Sequence, residues 1–457
     1  MLPIRDAQVL IVGAGVTGTS VERVLTRMGA KVSLVDETHS RGDRLQLLPL
    51  ADAATRHFDF VVVSPGWKIT HPFLQELMSR KANLISEIDL AWQIKEKLLP
   101  SQKWIGITGT NGKTTAVELT TAILKEGGIR TTACGNVGDT VIEAVTSDQK
   151  FDYLVVELSS FQLEWSRLPS FSASAILNIA DDHTDWHGGF DSYAQAKMRI
   201  LDGTNLAILN GDDSVVVERS SNWDGRKVFY TLSAPKPGEL GVVEDLLIDR
   251  AFVNDPLEAE VLAELHDVHP QAAHSVSNTL AASALGRSAG VAYSSIQNAV
   301  QNFRPGRHRI ETILFKDGIT WIDDSKATNP HAAAASIKSF SSVIWIAGGL
   351  AKGADMSSLV EKIAAKIKVA ILIGADRELI GAALTKQFPN IPIIRVDGDK
   401  SDGLALMRRI VAQANESADI GDVVLLAPAC ASMDQFENYA SRGDFFRDAV
   451  LELVDSK

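Results

Sequence analysis

Cysteine is nearly absent from this sequence, which contains two in 457 residues. So few cysteines cannot build the disulfide framework of a small secreted domain. Long apolar runs are also missing, because stretches such as residues 9–12 and 423–426 are only as long as a strand, whereas a membrane-spanning helix needs roughly 18 residues. No basic segment followed by an apolar core opens the chain, so we expect no signal peptide and no membrane insertion. These absences predict a cytoplasmic protein.

Positively charged residues are also fewer than negatively charged ones. The chain has 45 Lys and Arg residues against 57 Asp and Glu residues, and its formal net charge is −12. Nucleic-acid binding needs a basic face that neutralises phosphates, so we expect no nucleic-acid partner. Small anionic ligands stay compatible with this charge, because a few local cations and helix N-termini decide such sites.

The hydrophobic pattern predicts an α/β fold. Short β-branched runs alternate with amphipathic segments, which is typical of mostly parallel sheets. Strands are predicted at residues 9–12, 32–35, 60–64, 104–107, 153–158, 173–179, 206–209, 320–322, 343–347, 369–373, 393–396 and 423–426. At about 150 residues per domain, a chain of this length predicts three domains. A charged link before Pro100 and the Pro305-Gly306 turn suggest boundaries that give domains at residues 1–99, 100–303 and 304–457.

A glycine-rich loop joins the first predicted strand to a predicted helix. Its sequence is Gly13-Ala14-Gly15-Val16-Thr17-Gly18. Such glycines let the backbone approach a diphosphate at a helix N-terminus, and Asp36, which closes the next strand, can accept sugar hydroxyls. The pattern selects a diphosphate and a ribose but not nicotinamide, so an NAD-dependent dehydrogenase is only the obvious first interpretation. A tight turn that binds nothing is the alternative.

A second loop predicts an ATP site. It reads Thr108-Gly109-Thr110-Asn111-Gly112-Lys113-Thr114-Thr115 and lies between a predicted strand and a predicted helix. Its spacing departs from the strict phosphate-loop pattern, because Ile107 stands where a glycine is usual. The chemical groups are nevertheless present: backbone N–H groups for phosphate oxygens, Lys113 for the β and γ phosphates, and the Thr114 hydroxyl for Mg²⁺.

Further candidate ligands follow this loop. Glu157 ends a predicted strand, where a carboxylate suits Mg²⁺, although it could equally cap a helix. The segment 181–187 is rich in Asp and His, and the lack of cysteine favours Mg²⁺ over zinc, with His183 as a nitrogen ligand or a hydrogen-bonding group. Capping and turn formation would also explain its aspartates. Lys197 follows Tyr193 by four residues on a predicted helix and, judged alone, is most simply a solvated lysine.

The order of the motifs resembles the Mur ligase family. They are the second loop, Gly135-Asn136-Val137-Gly138, Glu157-Leu158-Ser159-Ser160, Asp182-His183, Ala196-Lys197 and His308-Arg309. Three further segments are similar to the branch that adds D-glutamate. They are the Gly13 loop, Asp323-Asp324-Ser325-Lys326-Ala327-Thr328-Asn329 and Pro428-Ala429-Cys430-Ala431-Ser432-Met433-Asp434-Gln435-Phe436. The resemblance covers essentially the whole chain. It implies a Rossmann-like N-terminal domain that binds UDP, a central P-loop ATPase-type domain that binds ATP, and a Rossmann-like C-terminal domain that binds the amino acid.

The implied reaction is ATP-dependent amide formation. The L-alanyl carboxylate of UDP-N-acetylmuramoyl-L-alanine would be activated as an acyl phosphate and attacked by the amine of D-glutamate, a cytoplasmic step of peptidoglycan precursor synthesis. The resemblance implies ATP and Mg²⁺ as cofactors and a monomeric enzyme. Another Mur-type or a folylpolyglutamate-type ligase is the alternative among enzymes. A nucleotide-sensing or NAD-dependent binding protein is the alternative from another class.

The resemblance also assigns residues to each role. The catalytic residues would be Lys113, His183, Lys197 and Asp324. ATP would meet Gly109, Thr110, Asn111, Gly112, Lys113, Thr114, Thr115, Asn278, Arg309 and Asp324. The UDP substrate would meet Gly13, Gly15, Val16, Thr17, Gly18, Asp36, Glu37, Thr38, Gly66, Asn136 and His183. D-glutamate would meet Lys326, Thr328, Lys352, Ser432 and Met433, and metal would be held by Thr114, Glu157, His183 and a carbamylated Lys197.

Overall fold

The computed structural model describes residues 3–37, 47–255, 257–398 and 400–455. It contains three sheets with helices packed on them, which confirms the predicted α/β class. The residues form two compact units. One consists of Met1–Ile179, Asp191–Val268 and Ser277–Phe303, and the other of Ala180–Phe190, His269–Val276 and Arg304–Lys457. Segments 180–190 and 269–276, which the predicted boundaries assign to the middle domain, therefore group with the third sheet.

The first sheet is wholly parallel. Its elements are β1 (Gln8–Val12), α1 (Val16–Arg27), β2 (Lys31–Val35), α2 (Leu50–Thr55), β3 (Phe60–Val63), α3 (Pro72–Ser79), β4 (Leu84–Ser86) and α4 (Glu87–Leu98). The strand order is β2-β1-β3-β4. All four residues of β3 are buried, as expected for a parallel strand that is covered on both faces.

The middle sheet has nine strands. Residues 103–302 form, in chain order, β5 (Lys103–Thr108), α5 (Lys113–Glu126), β6 (Thr131–Gly135), α6 (Val141–Thr146), β7 (Tyr153–Glu157), α7 (Ser160–Trp165), β8 (Ala173–Ile176), α8 (Thr184–His187), α9 (Phe190–Met198), β9 (Leu206–Asn210), α10 (Ser214–Ser220), β10 (Arg226–Tyr230), β11 (Glu239–Val243), β12 (Leu246–Asp249), β13 (Glu260–Glu264), α11 (Ala273–Ser288) and α12 (Tyr293–Asn302). Of these, α8 belongs to the second unit. The order is β13-β12-β11-β10-β9-β8-β5-β7-β6. Strands β11, β12 and β13 pair antiparallel, and the remaining neighbours pair parallel.

The third sheet has six strands. Its elements are β14 (Glu311–Lys316), β15 (Ile319–Asp323), α13 (Pro330–Lys338), β16 (Val343–Gly348), α14 (Met356–Ile363), β17 (Ile367–Ile373), α15 (Arg377–Gln387), β18 (Ile393–Arg395), α16 (Gly403–Ser417), β19 (Val423–Leu426) and α17 (Tyr439–Val450). The order is β14-β15-β19-β16-β17-β18, and β14 is the antiparallel edge strand. Two apolar clusters pack on this sheet, one around Trp345 and one around Trp321 and Phe446.

Each strand predicted from the sequence corresponds to an observed strand, with ends that shift by a few residues. The strands that were not predicted are β4, β6 and β10 to β14. Strands β4, β6, β13 and β14 are sheet edges, where a strand needs no continuous apolar run. Among the described residues, no helix combines the length and the apolar character that crossing a membrane requires.

Side chains at the start of α4 join the first sheet to the middle one. Glu87 is 4% exposed and accepts a hydrogen bond from the Ile142 backbone N–H at 2.6 Å, at the start of α6. Asp89 accepts from the Arg167 and Leu168 backbone N–H groups, each at 2.9 Å. Burial raises the pKa of Glu87 to about 7, although hydrogen bonds from the Ile142 and Val141 backbone N–H groups oppose the shift. The junction therefore contains a carboxyl group that titrates near neutral pH.

We predict that Glu87→Gln stabilises the protein more at pH 8 than at pH 5. In the unfolded chain the Glu87 carboxyl ionises near its ordinary pKa of 4.5, whereas in the folded chain it keeps its proton until about pH 7. The folded state thus binds more protons between these values, and stability falls as the pH rises through that window. The amide has no proton to lose, so it escapes this penalty, which is on the order of a few kcal/mol.

The measurement is the difference in melting temperature between variant and wild type at each pH, which cancels contributions from other titrating groups. Glu76→Gln, at an exposed position on α3, is the matched control and should show a small difference at both pH values. A Glu87→Gln effect that is equal at pH 5 and pH 8, or larger at pH 5, would contradict the assignment.

Candidate active site

The loop between β5 and α5 has the geometry of a phosphate-binding loop. Gly109 and Gly112 adopt positive φ angles of +159° and +83°, and the second is a left-handed conformation that favours glycine. Lys113 begins α5, and its Nζ donates to the Gly109 and Thr110 carbonyl oxygens at 2.8 and 2.9 Å. Thr114 and Thr115 follow in the half-buried first turn. The ammonium group and the helix N-terminus thus lie at one loop, as anion binding requires.

Asn278, which the family resemblance assigns to ATP, contacts this loop from α11. It is 7% exposed, and a side chain added at Gly112 would collide with its amide group. Residue 112 therefore has two reasons to be glycine: its positive φ angle and the lack of space for a Cβ beside Asn278. Whether Asn278 touches a nucleotide stays a prediction.

Two side chains that the sequence did not single out as ligands hold the loop in place. Asn178, just after β8, accepts from the Asn111 backbone N–H at 2.8 Å and donates to the Asn111 carbonyl oxygen at 3.0 Å. The Tyr193 hydroxyl lies 2.8 Å from Thr110 Oγ1. Neither residue belongs to a short motif, because each reaches the loop from a distant part of the chain. No signal in the sequence pointed to Asn178, because this residue fell inside the predicted strand 173–179, whereas β8 ends at Ile176.

Glu157 ends β7, beside the loop that follows β5. It is 2% exposed, and its Oε1 accepts from Asn136 Nδ2 at 2.8 Å. Its Oε2 is buried and has no hydrogen-bond partner among the described residues. A buried carboxylate oxygen without a donor is costly unless something else compensates its charge. The Glu157 carboxylate, held in place by Asn136, therefore fits a divalent cation such as Mg²⁺, which prefers oxygen ligands.

Lys197 is buried, so its interpretation as a solvated lysine is wrong. The side chain is 2% exposed, and Nζ donates to the Gly109 carbonyl oxygen at 2.8 Å. It also lies 4.7 Å from the centroid of the Tyr193 ring, one turn earlier on α9. The periodicity of α9 was predicted correctly, but burial could not be read from it, because Lys is rarely buried without a partner.

The first glycine loop also has the predicted form. Gly13 adopts a φ of +101°, and the Ala14 backbone N–H donates to Asp36 Oδ2 at 2.6 Å. A side chain on Gly18 would collide with the Gly13 carbonyl oxygen, so this glycine allows close packing of helix and strand. Gly15 caps α1, Val16 is 80% exposed, and Thr17 is half-buried.

Of the other residues predicted to contact UDP, the structure brings only some close to this loop. Glu37 is exposed and lies 3.1 Å from His71 Nε2, and Gly66 is exposed just after β3. Asn136 lies beside Glu157, as described above. Thr38 lies outside the described residues. The structure therefore brings Asp36 to the loop and leaves the remaining assignments as predictions.

The second unit contains the predicted pair Arg309 and Asp324. Asp324 is 8% exposed, and burial together with the neighbouring Asp323 raises its pKa to about 7, partly offset by the Ser336 hydroxyl and the Arg309 charge. His308 Nδ1 lies 2.6 Å from Asp323 Oδ2. His308 directly precedes Arg309, and Asp323 directly precedes Asp324. The buried contact between His308 and Asp323 therefore holds the two predicted residues close to each other.

Three loops of the same unit lie side by side, because β15, β19 and β16 are neighbours in the sheet. The loop after β15 carries Lys326 and Thr328, that after β19 carries Ser432 and Met433, and that after β16 carries Lys352. The Ala429 backbone N–H donates to the Ala327 carbonyl oxygen at 2.9 Å, and Leu350 and Ala431 exchange two backbone hydrogen bonds. Ser432 is 4% exposed and Met433 is 50% exposed. The predicted D-glutamate residues therefore lie in loops that follow the carboxyl ends of three neighbouring parallel strands.

His183 lies in the segment 180–190 of this unit. Its φ is +53°, and it precedes the short helix α8. The neighbouring Asp182 lies 3.7 Å from His183 Nε2 and 3.5 Å from the Asn329 amide nitrogen. Asn329 closes the string that begins at Asp323, so the segment is linked to the loop of Lys326 and Thr328. No capping bond from the His183 side chain is present.

Comparisons with known proteins match this architecture. A model of the Mur ligase middle domain matches residues 107–286, and a model of the Mur ligase glutamate ligase domain matches residues 308–430. Residues 2–90 match the C-terminal domain of alanine dehydrogenase/PNT. The phosphate loop after a parallel strand, together with these matches, defines an ATP-dependent ligase of the Mur class, built from three α/β domains.

Curated relatives narrow the class. UDP-N-acetylmuramoylalanine–D-glutamate ligase from Streptomyces coelicolor is 42% identical over 97% of this chain and 98% of its own length. The enzyme of that name from Thermobifida fusca is 43% identical over 99% of this chain and 100% of its own. The chain belongs to the UDP-N-acetylmuramoylalanine–D-glutamate ligase family, and it is accordingly a ligase of peptidoglycan precursor synthesis.

Solved structures share the fold at low sequence identity. The pseudomurein peptide ligase type C of Methanothermus fervidus superposes with a TM-score of 0.61 at 18% identity, covering 98% of this chain and 100% of that one. The MurF ligase of Thermotoga maritima in complex with ADP gives 0.59 at 15% identity, covering 100% of this chain and 97% of that one. Identities this low establish the common fold alone.

We predict that Gly112→Ala impairs nucleotide binding, whereas Gly128→Ala does not. Both glycines have positive φ, +83° and +77°, so each alanine pays about 1–2 kcal/mol of backbone strain. Only at residue 112 does the new Cβ meet another side chain, that of Asn278, while the space around Gly128 is open within 4 Å. Gly112→Ala should therefore lose at least as much thermal stability as Gly128→Ala, and it alone should lose affinity for ATP and ADP.

Isothermal titration with ADP, alongside melting curves, measures the two effects separately. Equal nucleotide affinity in the two variants would show that the loop is not the nucleotide site, or that Asn278 yields without consequence.

Proposed function

We propose that this enzyme joins D-glutamate to UDP-N-acetylmuramoyl-L-alanine with hydrolysis of ATP. The observation that carries the proposal is the arrangement of the third sheet, where the loops with Lys326, Ser432 and Lys352 follow three neighbouring strands. Lysines and hydroxyl or backbone donors gathered at one edge suit a small dianion. The names of the relatives supply the same two substrates.

The phosphate loop would supply activation. A free carboxylate is a poor electrophile at neutral pH, so the γ-phosphoryl group would pass to the L-alanyl carboxylate and form an acyl phosphate. Lys113 would leave the Gly109 and Thr110 carbonyl oxygens, to which it now donates, and neutralise charge on the transferring group. The D-glutamate amine would then attack the acyl carbon, and phosphate would leave.

Mg²⁺ is proposed as the second cofactor. The buried, unpaired Glu157 Oε2 supports this assignment, and Thr114 and His183 are the other predicted ligands. When bound, the ion would neutralise phosphate charge. Asn136 would keep Glu157 oriented through its 2.8 Å hydrogen bond.

The first domain is proposed to bind the UDP portion. Its diphosphate would lie against the backbone of Gly13, Gly15 and Gly18 at the start of α1, while Asp36 would accept sugar hydroxyls. Val16, Thr17, Glu37, Thr38 and Gly66 complete the proposed contacts, with Asn136 and His183 toward the muramoyl end. The match of residues 2–90 to a dehydrogenase domain makes NAD the competing ligand of this loop.

D-glutamate would be held by Lys326, Thr328, Lys352, Ser432 and the Met433 backbone. Fixing both carboxylates leaves only one enantiomer able to aim its amine at the acyl phosphate. The amine must lose a proton before it attacks. Asp324, whose pKa is raised to about 7 by burial, and His183 both remain candidates for this proton transfer. We propose that the enzyme works as a monomer in the cytoplasm, where ATP and UDP-sugars are made.

Phosphate release tests the proposal. We expect release only when ATP, UDP-N-acetylmuramoyl-L-alanine and D-glutamate are all present, and little release with L-glutamate or other amino acids. Lys113→Ala should reduce the rate by ~10²–10³-fold or more, since it removes a cation from the transferring phosphoryl group. Preference for another amino acid would favour a different Mur-type or folylpolyglutamate-type ligase. Tight NAD binding without any response to the UDP-sugar would overturn the assignment of the first domain.

We further predict that Lys197 is carbamylated in the active enzyme. As an ammonium group it lies buried against the Gly109 carbonyl oxygen, 2.8 Å away, where a positive charge would repel a metal ion. A carbamate would turn it into an anion with two oxygens that suit Mg²⁺. Lys197→Ala should therefore lose activity that a short carboxylic acid partly restores.

Depleting and restoring CO₂ during the assay, together with intact-protein mass measurement under non-acidic conditions, provides the check. Lys227→Ala, at a half-exposed lysine on β10, should show neither loss nor rescue. An active, metal-loaded enzyme with an unmodified Lys197 would contradict the prediction.

A further inference from the structure

Arg442 is completely buried beneath the loops of the third sheet. It lies in the first half of α17 and has 0% exposure. Its Nε donates to Ser325 Oγ at 2.9 Å, one terminal nitrogen donates to the Ser325 carbonyl oxygen at 2.9 Å, and the other donates to the Cys430 carbonyl oxygen at 3.2 Å. One guanidinium group thus spans two loops that are more than a hundred residues apart in the chain.

These two loops carry the residues proposed to bind D-glutamate. Ser325 directly precedes Lys326, and Cys430 precedes Ser432 by two positions. The backbone hydrogen bond from Ala429 to Ala327 joins the same loops at one further point, 2.9 Å long. Ala429 adopts a φ of +58°, an unfavourable conformation for alanine. The loop therefore keeps a strained shape next to the Arg442 contact.

Ser325 extends the contact to a third group. Its hydroxyl accepts from Arg442 Nε and donates to the Tyr439 carbonyl oxygen at 2.7 Å. The Tyr439 ring in turn lies under Lys326, whose Nζ is 3.8 Å from the ring centroid. Arg442 therefore acts on Lys326 from two sides: through the backbone of Ser325, and through the aromatic ring on which the Lys326 ammonium group lies.

Stability alone is a poor explanation for this arginine. Among the described residues its hydrogen bonds go to two carbonyl oxygens and one hydroxyl, and not to a carboxylate. Burial lowers the pKa of Arg442 to about 10, so the group still carries its charge at neutral pH. A buried charge of this kind is commonly no more stabilising than an apolar side chain of similar size. A rigid, planar donor that reaches both loops at once is what an apolar residue cannot supply.

We propose that Arg442 is a positioning residue for the amino-acid substrate, which keeps the loop of Lys326 and Thr328 in register with the loop of Ser432. The proposal rests on the assignment of D-glutamate to these loops. Arg442 would not touch D-glutamate itself. Its removal would let the two donor sets move apart, and a shift of about 1 Å in such a set can change reactivity on the order of 100-fold.

Steady-state kinetics of Arg442→Met test the proposal. The apparent KM for D-glutamate should rise on the order of 10- to 100-fold, while the KM values for ATP and for UDP-N-acetylmuramoyl-L-alanine stay nearly unchanged. Arg442→Lys retains a charge but cannot span both loops, so it should show a smaller rise in the same direction. Added guanidinium or ethylguanidinium should lower the KM of Arg442→Ala toward the wild-type value.

Two further variants keep the test decisive. Arg408→Met, on the surface of α16 where Arg408 pairs with Glu452, is the matched control and should leave all three KM values unchanged. If Arg442→Met does not fold, Ser325→Ala decides the question, because it removes the hydroxyl between Arg442 and Tyr439 and should raise the KM for D-glutamate alone.

Equal increases in all three KM values, or a lower melting temperature without any change in KM, would show that Arg442 only stabilises the domain and would overturn the inference. Failure of the wild-type enzyme to use D-glutamate would instead overturn the proposed function. These two results are distinguishable, because the second is measured before any variant is made.

Discussion

Parallel strands that lie next to each other end at the same edge of a sheet, and both candidate sites depend on this constraint. In the middle sheet, β8, β5, β7 and β6 are consecutive neighbours. The phosphate loop follows β5, Glu157 ends β7, Asn136 follows β6 and Asn178 follows β8. Residues separated by dozens of positions therefore meet without any special folding of their own loops. In the third sheet the same rule brings together the loops after β15, β19 and β16.

Charge in the middle domain is arranged for ligands that carry charge themselves. Lys113 and Lys197 both donate to the single carbonyl oxygen of Gly109, each at 2.8 Å. One buried oxygen of Glu157 has no hydrogen-bond donor in the part of the chain that the structure describes. Two cations on one carbonyl and an unpaired carboxylate oxygen are unfavourable in a resting core. An anionic phosphate would compensate the charge of Lys113, and a divalent cation would compensate Glu157 and the proposed carbamate of Lys197.

The sequence predicted the parts of this arrangement that are local in the chain. Both glycine loops, the strands before them and the amphipathic helices after them were predicted, because steric and hydrogen-bonding rules act over a few residues. The strands β11 to β14 were not, because antiparallel and edge strands need no continuous apolar run, and the internal strand β10 was missed because it begins with two charged residues. The contacts of Asn178 and Tyr193 with the phosphate loop were also missed, since only tertiary structure brings them there. For Lys197 the helix was predicted correctly but the burial was not, because an isolated lysine is normally exposed.

Buried ionisable groups mark the junctions of this molecule. Glu87 joins the first sheet to the middle one, Asp324 lies beside the His308–Asp323 contact, and Arg442 spans two loops of the third sheet. Burial raises the pKa of both carboxyl groups to about 7 and lowers that of the arginine to about 10, so each is less easily charged than in water. Apolar residues would fill these positions at lower cost, but they cannot bind backbone groups at fixed distances. These polar groups therefore cost some stability but hold backbone groups at fixed distances. Asp324 and Arg442 do so beside the loops where ligands are expected to bind.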